Sequence, residues 1–342
     1  MKRLAFTITA LFVVGIASVP VTAQESGSSR RPMRARLYGD WQVKVAFGER
    51  QMDAILSFAR DNEGHLTAQW ISPWGVTDLK DVTLEENKLS FVQVVRFGDN
   101  EFTSNFTGTI DEGKLTGVLI SDRGESAVEG QRAPRISRAV GNWAMTFKMG
   151  ERDVTATLVI RADKEGTLKG EWQSPWGEHE IADLAYERGT LSFTRKSTFQ
   201  SRQFESRFEG TLRGDTLSGT ITSERGEMTV EGTRTGAPLI GTWSLELASE
   251  QGARKQRLVV HPDMSGLYGT IPVEKISLED GKVTFKLVLR FGEREFEMNF
   301  AGTLEDSKLV GEMTTSRGAT KVTGTKVVRP MQFFRRPGPN PA

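Results

Sequence analysis

The sequence predicts an all-β protein: three tandem eight-stranded antiparallel up-and-down barrels behind an export signal. Three observations carry this. First, Gly-x-Trp opens a strand-like run three times, as Gly39-Asp40-Trp41, Gly141-Asn142-Trp143 and Gly241-Thr242-Trp243, a repeat of about 100 residues. Second, the same landmarks follow each tryptophan in one order: Phe91, Phe193 and Phe285, then Phe106-x-Gly108, Phe208-x-Gly210 and Phe300-x-Gly302, then Gly117, Gly219 and Gly311. Each unit closes on an Arg-Gly turn (Arg123-Gly124, Arg225-Gly226, Arg317-Gly318), followed by Gly130-x-Arg132, Gly232-x-Arg234 or Gly324-x-Lys326. Third, the runs between turns alternate in polarity with the period of a strand rather than of a helix.

In chain order, residues 1–23 read as a secretory signal. Lys2-Arg3 is the charged start, an apolar stretch runs from Leu4 to about Val19, and Val21-Thr22-Ala23 offers a small-residue cleavage site. An uncleaved membrane anchor is the other reading, although Thr7, Thr9, Gly15 and Pro20 interrupt a run already short for a span. No later stretch is apolar enough to cross a bilayer as a helix, so the mature chain is expected to carry no transmembrane segment. Residues 24–37, with Arg30, Arg31, Arg34 and Arg36, read as a disordered basic linker.

The first module, 38–133, divides into eight short runs. Trp41, Val43, Val45 and Phe47 share one face, as do Met52, Ala54, Leu56 and Phe58, and then Leu66, Ala68 and Trp70. Val82 and Leu84 follow, then Leu89 to Phe97, Phe102 to Ile110, Leu115 to Leu119, and Val128 with Gly130. Connections this short admit only hairpins, so each strand should pair with its sequence neighbour. A single apolar face on a twisted meander either leaves two raw edges or closes, and eight strands close around a lumen that side chains can fill. Inward glycines suit such closure, and a flattened two-sheet sandwich is the alternative packing. The second module, 141–234, keeps all eight runs. The third, 241–328, keeps the landmarks but shortens the middle: Ser72-Pro73-Trp74-Gly75 and Ser174-Pro175-Trp176-Gly177 have no counterpart there. The links of six or seven residues should leave neighbouring barrels in contact. Residues 329–342, with Pro330, Pro337, Pro339 and Pro341, read as a disordered Pro-rich tail.

A Gly-x-Trp on the first strand with a cation on the last resembles the lipocalin and wider calycin group of up-and-down barrels. The resemblance implies that Trp41, Trp143 and Trp243 sit at the closed ends, each covered by the basic side chain of Arg132, Arg234 or Lys326. Such a contact is structural, worth about 0.5 to 2 kcal/mol. The modules also look like small all-β repeats appended to exported bacterial enzymes, which implies a periplasmic or extracellular location.

The formal charge of +1 gives no electrostatic reason for a nucleic-acid partner. The absence of cysteine excludes disulfides, thiolate metal sites and lipid attachment through cysteine. No nucleophile with a base, carboxylate pair or metal-ligand cluster falls at positions that make sense on the fold, so no catalytic residue, metal site or cofactor is expected. His65, His179 and His261 stand in or beside predicted turns, which reads as exposed, and Asp122 and Glu224 read as turn chemistry.

Two features remain as candidate ligand-binding positions. Trp74 and Trp176 lie in stiff Ser-Pro-Trp-Gly turns, either as platforms for a sugar ring or partner protein, or as lids over the barrel end. The inward positions of the fifth and sixth strands differ among the copies: Gln93 and Ser104, then Arg195 and Ser206 with Ser197 alongside, then Leu287 and Met298. An unpaired lumen charge costs several kcal/mol, so Arg195 must find a carboxylate, reach the rim, or meet an anionic ligand or water. On this reading the second module holds a small polar cavity and the third is plugged. The function expected is that of an exported, non-enzymatic binding or scaffold protein of the cell envelope, its partner an envelope protein or a glycan. The alternatives are a carrier of a small hydrophobic or anionic ligand in the first or second barrel, and an accessory protein associated with a hydrolase.

Overall fold

The computed structural model describes residues 37–327 apart from positions 49, 98–99, 164, 200–201, 249–251 and 292–293. Residues 1–23, read as an export signal, the expected linker as far as residue 36 and the expected tail 329–342 lie outside the described residues.

The first module is built from β1 (Gly39–Phe47), β2 (Arg50–Arg60), β3 (Leu66–Ser72), β4 (Gly75–Asp78), β5 (Lys80–Glu85), β6 (Lys88–Phe97), β7 (Asn100–Asp111), β8 (Lys114–Ser121) and β9 (Gly124–Arg132). The second comprises β10 (Gly141–Met149), β11 (Arg152–Ala162), β12 (Leu168–Ser174), β13 (Gly177–Glu187), β14 (Thr190–Phe199), β15 (Arg202–Arg213), β16 (Thr216–Ser223) and β17 (Gly226–Arg234). The third comprises β18 (Gly241–Leu247), β19 (Arg254–Val260), β20 (Gly266–Tyr268), β21 (Ile271–Val273), β22 (Ile276–Glu279), β23 (Lys282–Phe291), β24 (Arg294–Glu305), β25 (Lys308–Thr315) and β26 (Gly318–Lys326).

All three are antiparallel up-and-down meanders in which the first strand pairs with the last, Trp41 opposite Arg132, Trp143 opposite Arg234 and Trp243 opposite Lys326. The second is a closed barrel of eight strands, whereas the first and third are nine-stranded sheets whose fourth strand is broken in two. In the first module the register slips between Lys80 and Thr83, where Asp81 takes φ 50°; β13 carries the matching bulge, with Asp183 at φ 55°. Aspartate tolerates this left-handed conformation better than most residues, and the extra residue turns the strand at the barrel corner. Leu79 N–H carries the ladder over the break by donating to the Ala68 carbonyl at 2.9 Å, and Ile276 N–H donates to the Met264 carbonyl at 2.7 Å in the third module.

Each barrel has its own core, with the first-strand tryptophan fully buried at one end. Its indole N–H donates to the carbonyl four residues earlier: Leu37 at 2.8 Å, Ala139 at 3.1 Å and Leu239 at 2.7 Å. The residues just before each barrel are therefore its plug. Leu37, Ala139 and Leu239 are buried, which moves Leu37 out of the basic linker and the ends of the two links into the cores.

The Phe-x-Gly landmarks have a steric cause. Phe91 stacks on Phe106 across β6 and β7 with centroids 4.5 Å apart, and the Phe106 ring then lies over the cross-strand pair Gly108 and Gly117. A Cβ at Gly117 would stand 2.5 Å from both Phe106 Cζ and the Thr107 carbonyl, so only glycine fits. The same stack recurs at Phe193 with Phe208 and at Phe285 with Phe300, both at 4.8 Å.

Barrels one and three pack side against side. Ile55, Ser57 and Ile71 are buried although their chain neighbours Leu56, Phe58 and Trp70 are the ones that belong to the barrel core, so they face outward into a second interface. There Gln256 Nε2 donates to the Ser72 and Pro73 carbonyls at 3.2 and 3.1 Å, and Arg257 Nη1 donates to Asp40 Oδ1 at 3.2 Å. Asp40 Oδ1 also accepts from Ser57 Oγ at 2.7 Å. The second and third modules meet where Asn142 Nδ2 donates to the Asp263 carbonyl at 3.5 Å.

Candidate functional site

The Ser-Pro-Trp-Gly segments are tight hairpin turns between the third and fourth strands, Ser72 pairing Gly75 and Ser174 pairing Gly177. The serine hydroxyl locks each turn, accepting from the tryptophan N–H at 3.3 Å in both copies. This leaves the rings on the outside of their hairpins, Trp74 46% and Trp176 55% exposed. The two hairpins have different surroundings. The first lies against β19, where a Cβ on Gly75 would meet the Lys255 carbonyl at 3.0 Å, and a Cβ on Gly269 of the third module would stand 2.5 Å from the Ser72 carbonyl.

At the open end of the first barrel lies a cavity of about 930 Å³. It brings together Trp74, Gln93 and Ser104 from the sequence-derived set, with Trp70, Thr77, Ser121 and Ser126 at the same end. Gln93 is buried opposite Ser104, which in turn stands opposite Ser121, so a polar band crosses an otherwise apolar wall that includes Phe47, Met52, Val76 and Leu119. The rim is charged. Lys80 and Arg96 come from the first module, Arg254 and Lys255 from the third, and Asp78 is the single acid among the lining residues. Lys255 Nζ stands 3.8 Å from Asp78, and Arg96 Nε stands 2.8 Å from Glu101. The contribution of the third barrel to this mouth has no local signal in the sequence, because Arg254 and Lys255 are about 180 residues away and read as an ordinary solvated strand end.

The second barrel has a different chemistry at the same level. Trp172 pairs with His179 as Trp70 pairs with Thr77, and Arg195 pairs with Ser206 as Gln93 pairs with Ser104. Arg195 Nε donates to Ser206 Oγ at 3.1 Å, and its Cζ sits 5.2 Å from the Trp172 ring centroid. Burial lowers the guanidinium pKa from its usual value, though not enough to remove the charge. His179 is not exposed at a turn, as expected, but half-buried inside the barrel, its Nε2 2.8 Å from Ser174 Oγ. Burial and then the Arg195 charge lower its pKa, which keeps it neutral at pH 7. The signal was present in the hairpin register: the second residue after Gly177 must face the second before Ser174. Ser197 lies one inward position nearer the mouth, opposite Phe204. In the third barrel this level is Tyr268, Ile271, Leu287 and Met298, and Leu287 belongs to the packed core.

At the closed ends, Arg234 lies 4.1 Å over the Trp143 ring, with Nε on Asp215 at 2.9 Å and Nη2 on the Arg138 carbonyl at 2.8 Å. Lys326 is 5.7 Å from the Trp243 ring and bonds the Pro238 carbonyl at 2.7 Å, and Arg132 bonds the Tyr38 carbonyl. His261 is also partly buried, its Nδ1 3.0 Å from Ser265 Oγ. Among the described residues, Asp61, Glu63 and His65 are the three side chains close enough to share a metal, and all are exposed. They form a turn in which Asp61 Oδ1 caps the Glu63 and His65 N–H groups at 3.0 and 2.8 Å. Asp163 makes the same turn with Glu165 and Thr167, so the motif repeats without the histidine and is a hairpin device. No helix among the described residues is long and apolar enough to cross a membrane.

No protein-family model matches the chain, and no curated protein matches its sequence. Among solved structures it is similar to an outer-membrane protein of Bacteroides fragilis, at 11% identity and a TM-score of 0.26, over 59% of this chain and 98% of that one. It is also similar to a mutant of transferrin binding protein B from Haemophilus parasuis, at 10% identity and a TM-score of 0.20, over 84% and 74% of the two chains. A Nostoc punctiforme protein of unknown function aligns at 12% identity and a TM-score of 0.22, over 85% of this chain and 97% of that one. At these scores the likenesses assign neither family nor ligand.

Proposed function

We propose that the protein is an exported, non-enzymatic binding protein of the cell envelope that takes a small amphipathic anion into the mouth of its first barrel. The observation that carries this reading is the cavity of about 930 Å³ whose wall is apolar and whose rim is cationic. Its size lies at the upper end of the range in which small molecules are held, roughly 300 to 1,000 Å³. An acyl or aryl body fits against Trp70, Met52 and Leu119, and an anionic head meets Lys80, Arg254 and Lys255. Gln93 and Ser104 supply neutral hydrogen bonds between them. The export signal at 1–23 supports the location outside the cytoplasm, and the lipocalin-like strand plan supports binding at a barrel mouth. The exposed ring of Trp176, on a hairpin turned to solvent, favours a second role as a contact for a partner protein or glycan.

Calorimetric titration of the full chain with decanoate, decanol and decylamine tests the reading. Decanoate should bind, and Arg254→Gln with Lys255→Gln should weaken it about tenfold, the worth of one charge-assisted contact of about 1.4 kcal/mol. Equal affinity for decanol, or no effect of the double variant, would sink it.

A further inference from the structure

The second barrel carries a polar group that its own chain does not complete. Arg195 projects into the lumen, and its Nε is held at the level of Trp172 by Ser206. Among the described residues no carboxylate pairs with it, and its two Nη groups have no hydrogen-bond partner. Beside this half-buried side chain, two further polar atoms of the same wall, Trp172 Nε1 and His179 Nδ1, are fully buried without a partner. These unpartnered groups are not dispersed through the molecule. Trp172 and His179 are cross-strand partners, Arg195 lies over the Trp172 ring, and Ser206 faces Arg195.

Arg195 and Trp172 offer donors only. A guanidinium presents its two Nη groups as a planar fork, and the indole N–H only donates. Ser174 has one hydroxyl proton: given to His179 Nε2 it leaves the ring proton on Nδ1 as a donor, and given to the Gly177 carbonyl at 3.4 Å it leaves Nδ1 an acceptor, which meets a water or a protonated oxygen instead. A fork of N–H groups matches two oxygens of a carboxylate or a phosphate, and one half-buried cation suits the single charge of a carboxylate. The first barrel has neutral Gln93 and Thr77 where the second has Arg195 and His179, and the third has Leu287 and Ile271. The cation is thus confined to one copy of an otherwise shared site.

We propose that the second barrel is a separate binding site for a small carboxylate, held by the Arg195 guanidinium with Ser206, His179 and Trp172 around it. The site does not depend on the cavity of the first barrel.

The test is an ¹H–¹⁵N spectrum of the full chain, in which the seven tryptophans give indole signals. Trp172→Phe identifies the one that matters. Titration with sodium acetate, against sodium chloride at matched ionic strength, should move the Trp172 indole proton saturably while leaving Trp143 and Trp243 in place. Arg195→Met should weaken the response at least tenfold, and Arg195→Lys, which keeps the charge but loses the fork, should weaken it less. Well-dispersed indole signals in each variant report that the barrel is intact, and Arg195→Lys carries the test if Arg195→Met loses them. Gln93→Leu should leave the Trp172 response unchanged even if it abolishes decanoate binding. A Trp172 signal indifferent to acetate, one that chloride moves equally, or one that moves alike in Arg195→Met overturns the proposal.

Discussion

Removing one or the other partner of the Asp40–Arg257 pair should have unequal consequences, and the asymmetry follows from what each leaves behind. The Arg257 side chain is 6% exposed, and its Nε and Nη2 are buried without a partner, so Asp40 is the charge that compensates it. At 3.2 Å and an effective dielectric of about 20 the attraction is about 5 kcal/mol. Asp40 is 27% exposed, so water screens part of this, and a net loss of about 2 to 3 kcal/mol is expected for Asp40→Asn. That variant keeps the shape and an acceptor for Ser57 while stranding the guanidinium. Arg257→Met removes the charge and the two unpartnered nitrogens together, so it should change stability by less than about 1 kcal/mol. Adding Asp40→Asn to Arg257→Met should then cost little more. Urea unfolding followed by tryptophan fluorescence reads all three, since urea leaves ionic strength unchanged. If Arg257→Met destabilises as much as Asp40→Asn, the pair is net stabilising and the reasoning from orphaned donors is wrong.

Two further predictions rest on the barrel interiors. Gly117→Ala puts a Cβ 2.5 Å from the Thr107 carbonyl, which no rotamer relieves, and should cost about 2 to 3 kcal/mol in urea unfolding, while exposed Thr116→Ala should cost under about 0.5. Phe106→Leu should reduce the Gly117→Ala penalty without abolishing it, because the backbone clash stays; full rescue would mean the ring alone excludes the side chain. His179 and His261 both have folded pKa values lowered by burial, His179 also by Arg195, while Asp263 partly offsets the shift at His261. The unfolded chain therefore binds more protons as pH falls through the ordinary value near 6.5, and stability should fall until the folded pKa is passed. Replacing both by Gln should flatten the stability profile between about pH 7.5 and 5.5, and an unchanged slope would assign it to other groups.

What the sequence made legible is what is local and periodic. Alternation placed Trp41, Val43 and Val45 on the inner face, and the repeated Gly-x-Trp with its last-strand partner located the seam where each sheet closes. The broken fourth strand was harder, because β4 and β21 are four and three residues long and lie beside Trp74 or Pro272, where turn chemistry dominates the pattern. The plugs were visible in hindsight as an apolar residue four before each tryptophan, yet a short link with Pro134 or Gly236 reads first as a connector. The interface between barrels one and three left no trace. Arg257 stands on the outer face of β19, which would ordinarily be wet, and Gln256 is a polar residue on the inner side of that strand opposite Leu245; only the facing surface of another module accounts for both being buried. For the same reason the mouth of the first barrel was legible from Trp74, Gln93 and Ser104 but not its cationic rim.

The hairpin missing from the third module accounts for the different fates of the three copies. Ser72 of the first module accepts from Gln256, and its carbonyl would stand 2.5 Å from a Cβ at Gly269, in the short turn between β20 and β21. A full Ser-Pro-Trp-Gly hairpin at that turn would compete with the first module for the same volume, so the shortening is what lets barrel one seat against barrel three. Seating brings Arg254 and Lys255 to the mouth of barrel one, which supplies from outside the positive charge that its neutral Gln93 lacks. Barrel two keeps its hairpin in solvent, with Trp176 exposed, and carries its cation inside as Arg195. A charge placed within a lumen costs more than one placed at a rim, because only the rim stays in contact with water. Arg195 is half-buried with its Nη groups outside the sealed set, so in barrel two a ligand would displace the little water that meets the fork, whereas the rim cations of barrel one remain solvated with or without a ligand. The two sites should accordingly differ in kind, a tight polar one selecting for a carboxylate in the second barrel and a wider, salt-sensitive one selecting for an amphiphile in the first.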